Sequence, residues 1–443
     1  MKDKFGYGFL TMGDGRLTSS VSDRLRHQVP GLNAGQTRGG KQLRNEFNTA
    51  TWVLVTFSLL LSGCQKINQK ISQETVVAKA SAEDWLEAGV NFEARQQHKE
   101  AIRAFTKALE INSRYAEAYY RRGNTRSASG SFDQAISDYD TALELSPHHA
   151  ECYYKLGFAW DNKGNYDQEI ADYSKTVEIE PDHAKAYYNR GGAWCDKGEY
   201  DTAIADYTKA LEIDPGYVKA YNNRGVAWDS KGELDQAIID YTRALELAPD
   251  FPEAHYNRAG AWSDKGDLEQ AINDYTEVLS INERDAKAHY NLGGLWRRKG
   301  NTEKALIEYT KAVEINPRFA EAYHERGVVL CDRGDTDQAI ADQDKAIEID
   351  PDYAEAYNDR GLAWGRKGDY DRAIADYIKA LEINPDYAEA YYNRGFAWYQ
   401  KGDPRKALVD VKRAVALKPM ERAYQQVVPH LETQIKGKKK RKK

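Results

Sequence analysis

Seven arginines in this 443-residue chain each stand sixteen residues ahead of an aspartate: Arg122 and Asp138, Arg190 and Asp206, Arg224 and Asp240, Arg258 and Asp274, Arg326 and Asp342, Arg360 and Asp376, Arg394 and Asp410. A planar guanidinium grips a carboxylate with two parallel hydrogen bonds, so one reading is an ion pair joining two segments. The other is a row of free cations for an anionic ligand. Ala88 and Ala104 lack both partners at once, and an arginine matched by its own acid is a poor anion site, so the series reads as structural. Leu156 with Asp172, and Leu292 with Glu308, show the acid also standing alone.

Other reactive side chains offer less. Cys195 and Cys331 hold equivalent places too far apart to bridge, and Cys152 reads as a small packing residue. His149 and His183 are equivalent to one another, but two histidines without a third ligand are read as polar surface residues. There is no nucleophile elbow, no phosphate-binding glycine loop after a strand and no zinc-ligand spacing. The chain is therefore expected to carry no catalytic residue, metal or cofactor, and not to be an enzyme.

The elements that would position these residues follow from a period of 34, kept without insertion or deletion from Ala82 to Glu421 in ten copies. A fixed period of this length means a stack of one supersecondary unit, each copy burying its apolar face against its neighbours. In the copy Ala184–Tyr217, Tyr187, Tyr188, Gly191 and Trp194 recur at helical spacing, as do Ala203, Ile204, Tyr207, Ala210 and Leu211. Each copy is thus two amphipathic helices. Gly198 supplies a left-handed turn between them, with Lys197 placed well for the first helix's dipole. Asp403 before Pro404 reads as a helix start, and Ser131 to Gln134 as a capping box. Pro215 and its equivalents end the second helix. The fold class is all-α, a solenoid of ten helix-turn-helix repeats coiled into a superhelix.

The pattern resembles the tetratricopeptide repeat: small residues at Gly191, Ala203 and Ala210, large ones at Tyr187, Trp194 and Tyr207, and proline at Pro215. Matches weaken at Glu169 and Thr176, Val278 and Glu283, and Leu330 and Gln343, where looser packing is expected. The resemblance implies a concave groove lined by first helices, with Tyr120, Tyr154, Tyr188, Tyr256, Tyr290 and Tyr392 facing it, followed by Asn189, Asn223, Asn257, Asn291 and Asn393. Asparagine can hold an extended peptide's backbone through its donor and acceptor, and tyrosine supplies area at low entropy cost, although the tyrosines can equally stack on one another. Lys185, Lys219 and Lys287 make the middle of the groove basic, while Glu117, Glu151, Glu321, Glu355 and Glu389 take that place toward the ends. The lysine clamp by which some family members hold chaperone tails is absent, since Tyr120, Tyr154, Tyr188 and Asn222 occupy its positions.

Charge is unevenly spread. The whole chain carries −6, but residues 82–421 hold 44 basic and 63 acidic residues, a net of −19. No specific nucleic acid partner is expected of so acidic an array. The end, Lys436 to Lys443, is basic and reads as a solvated, disordered tail or a tether to a polyanion, after a capping segment at 422–435. From Phe47 to Cys64 there is no charge after Arg44 and Glu46, and Leu61-Ser62-Gly63-Cys64 resembles a bacterial lipobox, whose cysteine is lipidated after cleavage. Residues 1–63 are read as a signal region, 1–42 of it as lying ahead of the true start, and 64–81 as a polar linker. The expected protein is a non-catalytic scaffold in the bacterial envelope, lipid-anchored through Cys64 and facing the periplasm or exterior, that binds a peptide or protein. The competing expectation is a soluble cytoplasmic adaptor whose basic tail contacts a polyanion.

Overall fold

The computed structural model describes residues 80–440, with side chains to Lys436. The signal region, Cys64 and residues 65–79 of the linker lie outside the described residues. Among the described residues twenty-one helices follow one another and no strand occurs. Ten pairs keep the 34-residue step, from Ala82–Ala94 with His98–Ile111 to Ala388–Gln400 with Pro404–Leu417, and a last helix runs over Arg422–Lys440. None is long and apolar enough to cross a membrane.

Local signals set the helix ends. In the copy chosen above the helices are Ala184–Asp196 and Tyr200–Ile213. His183 caps the first, its Nδ1 accepting the Ala186 N–H at 3.1 Å. Gly198 takes φ 79°, the left-handed turn that lets the chain reverse. The equivalent place in the first repeat holds Gln96 at φ 58°, where a side chain makes that conformation costly. At Ser131 the expected capping box is not formed: the residue begins the helix Phe132–Leu145, but its side chain makes no capping bond. Its backbone, at φ −91° and ψ 61°, departs from the extended conformation that aims a capping hydroxyl at the helix.

The two helices of a repeat meet where glycine faces an aromatic ring. A Cβ at Gly191 would sit 2.9 Å from the fully buried Tyr207, so the close approach depends on having none. Where Ala259 replaces that glycine, the ring answers: Tyr275 stands at 84° to Tyr256, against 51° between Tyr207 and Tyr188. Most of the weakly matching positions are not loose. Thr176, Val278 and Gln343 are buried, and Gln343 Nε2 donates to the His324 carbonyl at 3.0 Å.

Successive first helices touch one another along the stack, while successive second helices stand further apart. First helices therefore form the inner side. The last helix packs on the end of the stack, Tyr424 against Ala388 and Ala414, and Leu431 against Ala407 and Val411. Tyr424 is buried there, while its neighbour Ala423 is exposed. The helix also passes through Pro429 and runs to Lys440, beyond the boundary at 436 that the basic run suggested.

Candidate functional site

The inner face carries a ladder of polar side chains. Asn189 Nδ2 donates to the hydroxyls of Tyr154 and Tyr173, both at 3.2 Å, and Asn223 Nδ2 donates to Tyr188 Oη at 2.9 Å. Asn291 reaches Tyr256 Oη at 2.6 Å, while Asn257 and Asn393 donate to Asn222 and Asn358, each at 3.0 Å. Each rung but the Tyr173 bond links a first helix to the first helix before it. The amide donors that would hold a peptide carbonyl are thus engaged within the array, an arrangement that the residue types alone do not reveal.

The tyrosines are half-buried and stack, as one reading of the sequence allowed. Tyr188 lies 5.8 Å from Tyr207 and 4.8 Å from Tyr217, the last residue of the same repeat, which leads into the next helix. Tyr120 and Tyr154 pack on His149 and His183, with ring centroids 4.7 and 4.9 Å apart, and Tyr290 packs on Phe319 at 5.0 Å. Tyr392 stacks on Tyr424 of the closing helix at 4.6 Å. His149 and His183 are therefore half-buried helix caps and stacking partners, contrary to the expectation of plain surface residues. Each tyrosine still leaves an edge at the surface, and Lys185 and Lys219 on the same helices are exposed.

Toward the carboxyl-terminal repeats the ladder changes character. Glu325 and Asp359 take the places of the asparagines, and His324 that of a tyrosine. Arg297 pairs with Glu325, and His324 Nε2 lies 3.6 Å from Asp359. Burial raises the Asp359 carboxyl above the usual range, with His324 opposing it. The inner face thus runs from neutral amides and tyrosines to a carboxylate-rich stretch.

Every arginine of the sixteen-residue series holds its aspartate in the expected two-bond grip. Arg224 Nε donates to Asp240 Oδ2 and Nη2 to Oδ1, both at 2.7 Å. A third bond escaped the sequence reading. Nη1 of the same arginine donates to Thr208 of the preceding repeat at 2.9 Å, and Arg122, Arg190, Arg258 and Arg326 likewise reach Thr106, Ser174, Thr242 and Thr310. Arg360 reaches Asp344 at 2.7 Å. The arginine thus ties three helices and two repeats. A second missed series joins the turn lysines to acids thirty residues earlier, as Lys197 to Asp167 at 2.5 Å. Both series show in the sequence only when residues of neighbouring copies are compared.

Where the tryptophan equivalent to Trp398 is replaced by Leu330, the groove between second helices opens. A cleft of about 610 Å³ lies over Leu306, Ile307, Leu330 and Ala341, against about 270 Å³ at the same place beside Trp398. Among the described residues no cluster of three potential metal ligands occurs. Cys152, Cys195 and Cys331 are free thiols, and burial pushes Cys152 up to about 12, which leaves it protonated and inert.

Comparison with known proteins agrees with this architecture. Tetratricopeptide repeat models match residues 116–149, 150–183, 184–217, 218–251, 286–319, 308–341 and 388–420, and TPR repeat models match 263–295, 329–368 and 365–402. No curated protein matches the chain. Among solved structures, YrrB, described as a TPR protein with an unusual peptide-binding site, is 27% identical over 42% of this chain and 95% of its own, with a TM-score of 0.37. MamA is 28% identical over 38% of this chain and 92% of its own, at 0.37. A tetratricopeptide repeat protein from Parabacteroides merdae is 23% identical over 56% of this chain and 98% of its own, at 0.46. All the matched models describe repeats and none an enzyme, and proteins built of these repeats are generally non-catalytic scaffolds that bind protein or peptide partners. With matched repeats running through 116–251 and 263–420 and ten helix pairs in register with them, the chain belongs to the tetratricopeptide repeat family.

Proposed function

We propose that this protein is a non-catalytic scaffold, held at the bacterial envelope by a lipid on Cys64, that carries an extended peptide or protein segment on its inner face. The observation that carries the reading is the ladder of Tyr154, Asn189, Tyr188 and Asn223, polar, aromatic and pre-ordered by its own bonds. Order bought in advance lowers the entropy cost of binding. The tyrosine edges face the partner, Lys185 and Lys219 favour acidic residues beside them, and the exposed Glu321 and Glu355 favour basic residues further on.

Two measurements test the two halves. Benzoylphenylalanine placed at Lys185 or Lys219 should crosslink the partner in cells, and the same residue at Lys175 or Lys209 on second helices should not. Equal crosslinking from both faces would remove the groove. Palmitate labelling lost in Cys64→Ala supports the anchor; label absent from wild type favours a soluble adaptor contacting a polyanion through Lys436 to Lys443.

A further inference from the structure

One junction departs from the arginine series in a way that leaves a buried acid unanswered. In repeat three Leu156 stands where the arginine belongs, yet Asp172 remains, buried to 9% exposure. Its Oδ2 has no hydrogen-bond partner. In all seven filled junctions the Oδ2 atom at this place accepts the arginine Nε, at 2.7–2.9 Å. The second wall is also acidic. Asp140 occupies the place of Thr208 and of Asp344 in their repeats, and Asp344 shows what such an acid does. It accepts Nη1 of Arg360 at 2.7 Å while Asp376 holds the other two nitrogens.

The other junction without arginine is settled internally. There Glu308 is bonded by His289 at 2.5 Å and by Lys311 at 3.1 Å, and Thr276 replaces the second acid. Asp140 and Asp172 have no such answer. Leucine carries no donor to that place, and in the filled junctions the arginine side chains that occupy it remain 13–20% exposed, so the position is reached from the surface there.

We propose that the Asp140–Asp172 slot between the second helices of repeats two and three receives the guanidinium of an arginine presented by another protein. Asp172 takes two of its nitrogens and Asp140 the third, as Asp376 and Asp344 do for Arg360. A planar fork fits two carboxylates so placed, and an ammonium does not. The site lies off the inner face, so its failure leaves the groove reading untouched.

The test uses the full chain and two labelled peptides, acetyl-Gly-Gly-Arg-Gly-Gly-amide and its lysine counterpart, with N-acetyl-arginine amide as the free small-molecule arm. The arginine peptide should bind wild type at least about fivefold more tightly than the lysine peptide. Asp172→Asn and Leu156→Arg should each lose that binding, and Leu156→Arg should melt at or above the wild-type midpoint because it fills its own slot. Tighter binding of the peptide than of the free amide marks a protein-borne arginine; the reverse order overturns the protein partner. Equal affinity for arginine and lysine peptides, binding retained by Leu156→Arg, or a lowered midpoint in that variant overturns the slot.

Discussion

The side-chain amide of Asn189 donates to the hydroxyl of Tyr154, one repeat back, at 3.2 Å. The same pair therefore fastens neighbouring repeats and lines the inner face. Tyr154→Phe should cost about 1 kcal/mol of stability, the worth of one hydrogen bond, with the partner still bound. Asn189→Ala together with Asn223→Ala and Asn257→Ala should cost comparable amounts at each rung and also weaken partner capture at least about tenfold, each lost contact being worth roughly 1–3 kcal/mol. Urea denaturation and affinity measured on the same preparations separate the two effects; unchanged affinity in a folded triple variant moves the binding surface elsewhere.

Arg224 and Asp240 should couple. Each lies largely out of water, and removing either leaves the other without its partner. A double-mutant cycle with alanine at both places should give a coupling of about 1–3 kcal/mol. Thr208→Val should weaken the junction with the preceding repeat by a smaller amount. Strict additivity of Arg224→Ala and Asp240→Ala would show that the bonds contribute nothing net.

Gln96 holds a left-handed turn that glycine holds in the other nine repeats. Gln96→Gly should therefore raise stability by about 1 kcal/mol, while Gly198→Ala should lower it by a similar amount. Denaturant midpoints of the two variants, moving in opposite directions, check this.

Two buried acids of repeat three set a pH dependence. Burial pushes Asp172 up to about 7, with Asp140 adding to it, and Glu169 up to about 9, with Asp161 and Asp196 adding. Both hold their proton more tightly folded than unfolded. Their contribution to stability is thus fully present below about pH 4, and it falls away as pH rises through 7 and then 9. The loss reaches on the order of 2–4 kcal/mol for Asp172 alone. Asp172→Asn with Glu169→Gln should raise the melting midpoint at pH 8 and leave it near wild type at pH 4. A gain of equal size at both pH values would mean that the two acids titrate alike in the folded and unfolded chain.

The closing helix should be needed for the last repeats. Truncation after Met420 uncovers Val411 and Ala414 and removes the ring stacked on Tyr392, so solubility and melting midpoint should both fall. Truncation after Ile435 keeps Tyr424 and Leu431 and should leave the midpoint unchanged. If the shorter chain melts like wild type, Leu431 and Tyr424 are not stabilising contacts.

What could be read beforehand depended on where a residue's partner sits. Arg224 and Asp240 lie in one copy and recur together, so their bond was visible as a spacing. Thr208 belongs to the preceding copy, and a threonine has many uses, so the third bond was not. The turn glycines announced themselves because only a missing Cβ permits that backbone. The asparagine ladder was placed on the right helices, but whether an amide faces a neighbour or a ligand is a matter of rotamer and reach. Ser131 shows the same limit at a helix start: the motif was there and the backbone angles were not.

The three-helix arginine bond also has a consequence for how the array comes apart. It crosses the junctions made by Arg122, Arg190, Arg224, Arg258, Arg326 and Arg360, and is missing where Leu156 and Leu292 stand and where Arg394 meets Ile378 instead of a hydroxyl. In a linear stack, free energy is shared only between neighbours, so unstitched junctions are where a partly unfolded state can end at least cost. The junction at Leu292 is also the thinnest in the stack. Pulled from its ends, the chain should therefore yield in blocks, parting first near Ala286 and releasing several repeats together, rather than unravelling one copy at a time.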